Sequence, residues 1–141
     1  MTRKSGVTIV ELVFVAAIFI LVITLLAPFV QLAKDRGRRV ECEQNLRAIS
    51  LGLKAYAADH AGAFPDQLKD LYPRYITEQA AFNCPSSKAA GVPENPDYKY
   101  IAGSTALSSA KNVVVEDADG NHGRYHRHVL RVDGSVDWVR Q

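Results

Sequence analysis

The chain has 141 residues, 48% of them hydrophobic and 23% charged, which suits one small domain with at most an appendage. That length excludes a TIM barrel and leaves little room for a dinucleotide-binding domain beside a substrate domain. The formal charge of +2 resides in Arg3 and Lys4, since the remaining 15 basic residues cancel the 15 acidic ones, so no net basic field is left to attract nucleic acid.

The composition is segregated. From Leu12 to Val30, 17 of 19 residues are apolar, Thr24 and Pro28 being the exceptions. From Lys34 to Gln141 only 44 of 108 are apolar, 14 of them Ala. The first stretch predicts a helix of roughly 28 Å, enough to cross the hydrocarbon core of a bilayer. A secretory signal peptide would have a shorter apolar core followed by a small-residue cleavage site, and Ala27-Pro28 is a poor junction. A plain signal anchor fits the length, but neither reading accounts for Glu11. This carboxylate sits between Val7-Thr8-Ile9-Val10 and Leu12. An acidic side chain in hydrocarbon costs on the order of 2.5–3.5 kcal/mol at mid-membrane and less near an end. Glu11 is therefore a functional residue in need of a partner, unless it lies idle at headgroup depth.

The segment Lys4-Ser5-Gly6-Val7-Thr8-Ile9-Val10-Glu11-Leu12 resembles the processing site of type IV pilins and type II secretion pseudopilins. The resemblance implies cleavage after Gly6 by a prepilin peptidase, which then methylates the new amine of Val7. Val7 is a departure, because Phe is usual there. The family's assembly Glu falls on Glu11 and its helix-kinking Pro on Pro28. The implied domains are a cleaved leader (1–6), the transmembrane half of a long helix (7–33) and a soluble domain (34–141). The implied fold is α+β, a pilin-like lollipop with the long helix packed on a small antiparallel sheet.

Past the span, Lys34-Asp35-Arg36-Gly37-Arg38-Arg39 is basic and by itself reads as positive-inside, in competition with Arg3 and Lys4. The family places the domain on the outer side of the inner membrane. Leu46, Ile49, Leu53 and Tyr56 continue a helical stripe at spacings of three and four. The stripe ends at Asp59-His60-Ala61-Gly62, where Gly62 suits a left-handed cap, and Phe64-Pro65 forbids continuation. A short helix over Leu68 and Leu71 is expected, with Asp66 as its N-cap. Cys84-Pro85-Ser86-Ser87 reads as a turn, and 88–97 as loop.

Cys42 and Cys84 fit no CxxC, haem or zinc spacing. Behind a membrane-directing segment, one disulfide in an oxidising compartment is the expectation, with two buried free thiols as the alternative. Strands are predicted over 98–102, 112–116, 128–132 and 135–140. Asp133-Gly134 predicts a two-residue hairpin turn. That turn puts Val129, Arg131, Val136 and Trp138 on one face, and Leu130, Val132, Ser135 and Asp137 on the other.

The pattern Asn45-Leu46-Arg47-Ala48-Ile49, Tyr56, Asp59-His60, Gly62, Phe64-Pro65 and Cys84-Pro85-Ser86 is similar to pseudopilin-like proteins carrying a C-terminal His-to-Asp-Gly motif. Asp133-Gly134 is present, but His122 leaves ten residues between where the motif has nine, so no His takes a role from it. His122, His126 and His128 cluster near Asp117 and Asp119, and are expected to be solvated strand and loop residues rather than ligands. Asp117-Ala118-Asp119-Gly120-Asn121 resembles the start of a calcium loop without its downstream Glu. No cofactor is expected, calcium through Asp117, Asp119 and Asn121 being the one candidate.

No nucleophile elbow, P-loop or Gly-rich phosphate motif is present, so the chain is not expected to be an enzyme. The tyrosines are expected to pack in core and rim rather than on a nucleic-acid surface. The resemblance implies a filament subunit of type II-like secretion. Its partners would be the prepilin peptidase, other pilin-like subunits, an assembly ATPase and an inner-membrane platform. The alternatives are a type IV pilus or DNA-uptake minor pilin, and a membrane-anchored metal-binding domain.

Overall fold

The computed structural model describes residues 8–118, 120–122 and 126–140. The chain divides into two compact units, one ending at Arg36 and one beginning at Gly37. Helix α1, Ile9–Asp59, runs without interruption through Pro28.

In the first unit, Thr8 caps the helix: its Oγ1 accepts the Glu11 N–H at 3.3 Å, and its carbonyl accepts the Leu12 N–H at 3.1 Å. Thr8 and Glu11 thus hold the N-cap and N3 positions of a capping-box sequence, with an acidic group in the positive first turn. Every large apolar side chain from Ile9 to Leu32 is exposed. This stretch is long and apolar enough to cross a membrane, and none of it is buried against the protein. Thr24 satisfies its hydroxyl internally, donating to the Ile20 carbonyl at 2.7 Å.

In the second unit the same helix becomes amphipathic. Cys42, Leu46, Ile49, Ser50, Gly52, Leu53 and Ala57 form its buried face. It ends as expected: the Gly62 N–H reaches back to the Ala57 carbonyl at 2.7 Å with Gly62 at φ +87°. The following turn is a 3₁₀ helix, Leu68–Leu71, that buries Leu68 and Leu71. Its cap is Gln67 and not Asp66: the Gln67 N–H donates to the Asp70 carboxylate at 3.2 Å. A second 3₁₀ turn, Gln79–Phe82, sinks Phe82 into the core.

Four strands follow: β1 (Tyr98–Tyr100), β2 (Val113–Asp117), β3 (His126–Arg131) and β4 (Val136–Arg140). They form an antiparallel meander in the order β1-β2-β3-β4. The pairings Tyr98↔Asp117, Val115↔Leu130, Leu130↔Val136 and His128↔Trp138 bring those residues onto one face. Tyr98, Val115 and Leu130 of that face join the core with Leu46, Ile49 and Phe82. The opposite face is ionic: Glu116 holds Lys99 and Arg127, each at 3.1 Å, and Arg131 meets Asp137 at 2.7 Å.

The hairpin corrects one expectation. Arg131 N–H bonds to Ser135 O at 3.0 Å and Gly134 N–H to Arg131 O at 2.9 Å, so the loop has three residues, 132–134, rather than two. Gly134 takes φ +93°, the left-handed position of that longer turn. One extra loop residue slips the register by one and exchanges the faces. Trp138 therefore shares its face with His128 and Leu130, not with Val129 and Arg131. Helix α1 holds the turn in place, with Lys54 Nζ donating to the Asp133 carbonyl at 2.8 Å.

Candidate metal centre

Cys42 projects from the buried stripe of α1, one turn before Leu46. Cys84 opens the turn closed by Ser87 N–H on the Cys84 carbonyl at 2.8 Å. Asp117 ends β2, and His122 lies in the segment that follows it. Their donor atoms all fall within 4.8 Å of one another. Sγ of Cys42 is 3.9 Å from Sγ of Cys84 and 3.1 Å from Oδ1 of Asp117. Nε2 of His122 is 3.5 Å from Sγ of Cys84 and 3.5 Å from Oδ2 of Asp117.

The cluster is sealed. Cys42 and Cys84 are 0% and 1% exposed, and the side chains of Asp117 and His122 1% and 2%. Trp138 lies over it, with ring centroids 5.5 Å from His122 and 4.4 Å from His128, while His126 stacks on Trp138 at 5.2 Å. The Arg39 guanidinium sits 4.9 Å from the centroid of the Trp138 ring. A surrounding layer orients the donors. His128 turns both its backbone N–H (2.8 Å) and its Nδ1 (3.1 Å) to Oδ2 of Asp117, and the Tyr98 hydroxyl lies 3.6 Å from Sγ of Cys42.

This packing sets the electrostatics. The neighbouring Cys42 thiol, and then the His122 imidazole, overcome burial and bring the Cys84 thiol down to about 5. Cys42 is pushed up by its contact with Cys84, by burial and by the Asp117 charge. Burial would raise Asp117, but hydrogen bonds from the His128 side chain and backbone and from Cys42 outweigh it and hold the carboxyl below its ordinary range. Burial first, and then Cys42, raise the Tyr98 phenol.

Two expectations bear on this cluster. The structure holds Cys42 and Cys84 unbonded, with sulfurs 3.9 Å apart, where the sequence points to a disulfide. Each sulfur also faces a polar partner, Asp117 for Cys42 and His122 for Cys84. His122 and His128 are buried on the core side of the sheet rather than solvated, because the hairpin register turns Trp138 over them.

The cluster is also unlike a cysteine nucleophile with its base and orienting acid. Such a triad uses the two ring nitrogens of His for different partners. Here Nε2 faces both Cys84 and Asp117, each at 3.5 Å.

Asp97, which no motif in the sequence marks, braces the Cys84 loop. Its Oδ2 accepts the N–H groups of Cys84 and Gly91, both at 3.1 Å, and its Oδ1 accepts the Ser87 hydroxyl at 3.0 Å. Its backbone carbonyl receives the Asn121 side-chain amide at 3.1 Å. A lone carboxylate in a Pro-rich loop carries no pattern by which to find it. Gly91 is buried so tightly that a Cβ would overlap the Phe82 carbonyl oxygen and come within 2.9 Å of Asn83 Cα. Gly91→Ala is expected to lower stability by about 1–3 kcal/mol, read as a lower denaturant midpoint.

The other predicted site residues fall as follows. Gly6, Val7 and Asp119 lie outside the described residues. Glu11 occupies the first turn of α1 and Pro28 the interior of its apolar stretch. Asp117 and Asn121, the described members of the calcium reading, face Cys42, His122 and His128 in one case and the Asp97 carbonyl in the other. No family model, curated protein or solved structure matches the chain.

Proposed function

We propose that the chain is a pilin-like subunit anchored by the first half of α1, cleaved after Gly6, and assembled into a short filament of the kind that serves type II-like secretion. The carrying observation is Glu11 in the first turn of a helix whose large apolar side chains from Ile9 to Leu32 are all exposed. A carboxylate there is costly alone and favourable beside a cation. Cleavage after Gly6 supplies that cation as the amine of Val7 on a neighbouring subunit. The ion pair then sets the register while apolar side chains pack the bundle. The prepilin peptidase, an assembly ATPase and a membrane platform complete the pathway, and the domain sits outside the cytoplasm. The energy comes from those partners, since the sequence holds no nucleotide motif.

The test is the N-terminus and intact mass of the full chain produced with and without a prepilin peptidase. A start at Val7 bearing one added methyl group, only when the peptidase is active, is the expected result. An unprocessed terminus in the presence of active peptidase overturns the proposal.

A further inference from the structure

We propose that Cys42, Cys84, Asp117 and His122 bind one zinc ion as a closed structural site joining α1 to the end of the sheet. This inference is independent of the filament reading.

The donor spacing supports it. Zinc–sulfur bonds of about 2.3 Å and zinc–nitrogen or –oxygen bonds of about 2.0–2.1 Å give tetrahedral edges of about 3.8 Å between sulfurs and about 3.3–3.6 Å for the other pairs. The separations here are 3.9 Å between the sulfurs, 3.5 Å from Cys84 to His122, 3.5 Å from His122 to Asp117 and 3.1 Å from Cys42 to Asp117. The widest separation in the set is 4.8 Å or less, so a contraction of about 1 Å brings every donor into bonding range.

The donor chemistry selects the metal. Two sulfurs with one imidazole and one carboxylate in a four-cornered arrangement suit zinc. Calcium takes oxygen donors, six or more of them, and the two sulfurs exclude it from this site. Four protein ligands in a buried pocket leave no open position for water or substrate, which is the mark of a structural site. The orienting layer is also present: His128 holds the Asp117 carboxylate through two contacts, and Tyr98 lies against Cys42.

Such a site has a defined mechanical effect. It links a helix residue to a loop 42 positions later and to a strand end 75 positions later. Metal affinity is then part of folding stability, and a chelator acts as a denaturant. Binding requires both thiols to lose their protons, and these leave to solvent as the metal enters.

The experiment uses the full chain in detergent micelles, purified anaerobically without added reductant. Zinc per chain is measured by elemental mass spectrometry, and thiol alkylation is followed before and after chelator. One zinc per chain, with both thiols protected until the chelator is added, is expected. Cobalt(II) loaded into chelator-treated protein should give the strong visible bands of a tetrahedral ion and sulfur-to-metal charge-transfer absorption. Cys84→Ser and His122→Ala should each lower zinc occupancy at least tenfold. If either variant fails to fold, the wild-type zinc content and cobalt spectrum decide alone. A metal-free wild type with two freely alkylated thiols overturns the site. A metal-free wild type whose mass is lower by two hydrogens does so as well, and restores the disulfide.

Discussion

Asp97→Ala is expected to destabilise the Gly37–Gln141 unit by about 2–3 kcal/mol. Asp97 is 8% exposed, and its carboxylate is the shared acceptor for the N–H groups of Cys84 and Gly91 and the hydroxyl of Ser87. Truncation leaves the Cys84 N–H without its acceptor, at about 1–3 kcal/mol when no water replaces the carboxylate, while the Gly91 N–H keeps only its longer contact to Asn83 Oδ1 at 3.3 Å. Gly91 is held too closely by the Phe82 carbonyl and the Asn83 backbone to shift and shorten that remaining contact. A denaturant titration of the full chain in micelles measures the loss. A midpoint within error of wild type would show that the loop does not depend on Asp97. Asp97→Asn keeps one acceptor oxygen and should recover part of the loss, which separates hydrogen bonding from simple volume. Since the same loop presents Cys84, Asp97→Ala should also lower zinc occupancy.

Glu11→Ala is expected to leave cleavage and membrane insertion intact and to reduce incorporation into filaments by at least a hundredfold. Removing one member of a buried ion pair strands the other, at about 3–5 kcal/mol, and each 1.4 kcal/mol is tenfold in an association constant. A local explanation competes with this one, because Thr8 and Glu11 occupy the two key positions of a capping box. The structure separates the two. The Thr8 hydroxyl accepts the backbone N–H of residue 11, which any side chain there retains. Glu11→Gln keeps a group able to complete the box but removes the charge. Gln should therefore fail as Ala does. Wild-type incorporation of Glu11→Gln, scored by cross-linking or shear-released filament, would assign Glu11 to the cap alone.

The elements of the fold were largely legible in the sequence, and their contacts much less so. The end of α1 at Asp59 and its Gly62 cap follow from local rules, and each of the four strands lies within a few residues of its predicted place. Local rules failed where two partners compete for one role. Asp66 is the expected cap of the 3₁₀ turn, but Asp70 accepts the Gln67 N–H and sets the start one residue later. At the hairpin, Asp133-Gly134 suits a two-residue turn, but Gly134 sits at φ +93° against Ser50 and Lys54 of α1, and the three-residue form results. The histidines were misjudged in consequence, since a slip of one residue carries His128 and Trp138 to the core side.

By itself the sequence determined what depends on runs and short spacings. These are an apolar stretch of membrane-spanning length, an acidic residue at its start, and a helical stripe that resumes after Arg39. Such features reside in a few consecutive turns and need no distant partner. Only the tertiary structure decided which polar groups meet. Cys42, Cys84, Asp117 and His122 come from a helix, a loop, a strand end and the segment after it, and no ligand spacing joins them in sequence. Their convergence rests on the core that seats α1 against the sheet and on the brace that Asp97 gives the Cys84 loop. Both depend on long-range packing, which sets the two cysteine sulfurs 3.9 Å apart beside Asp117 and His122.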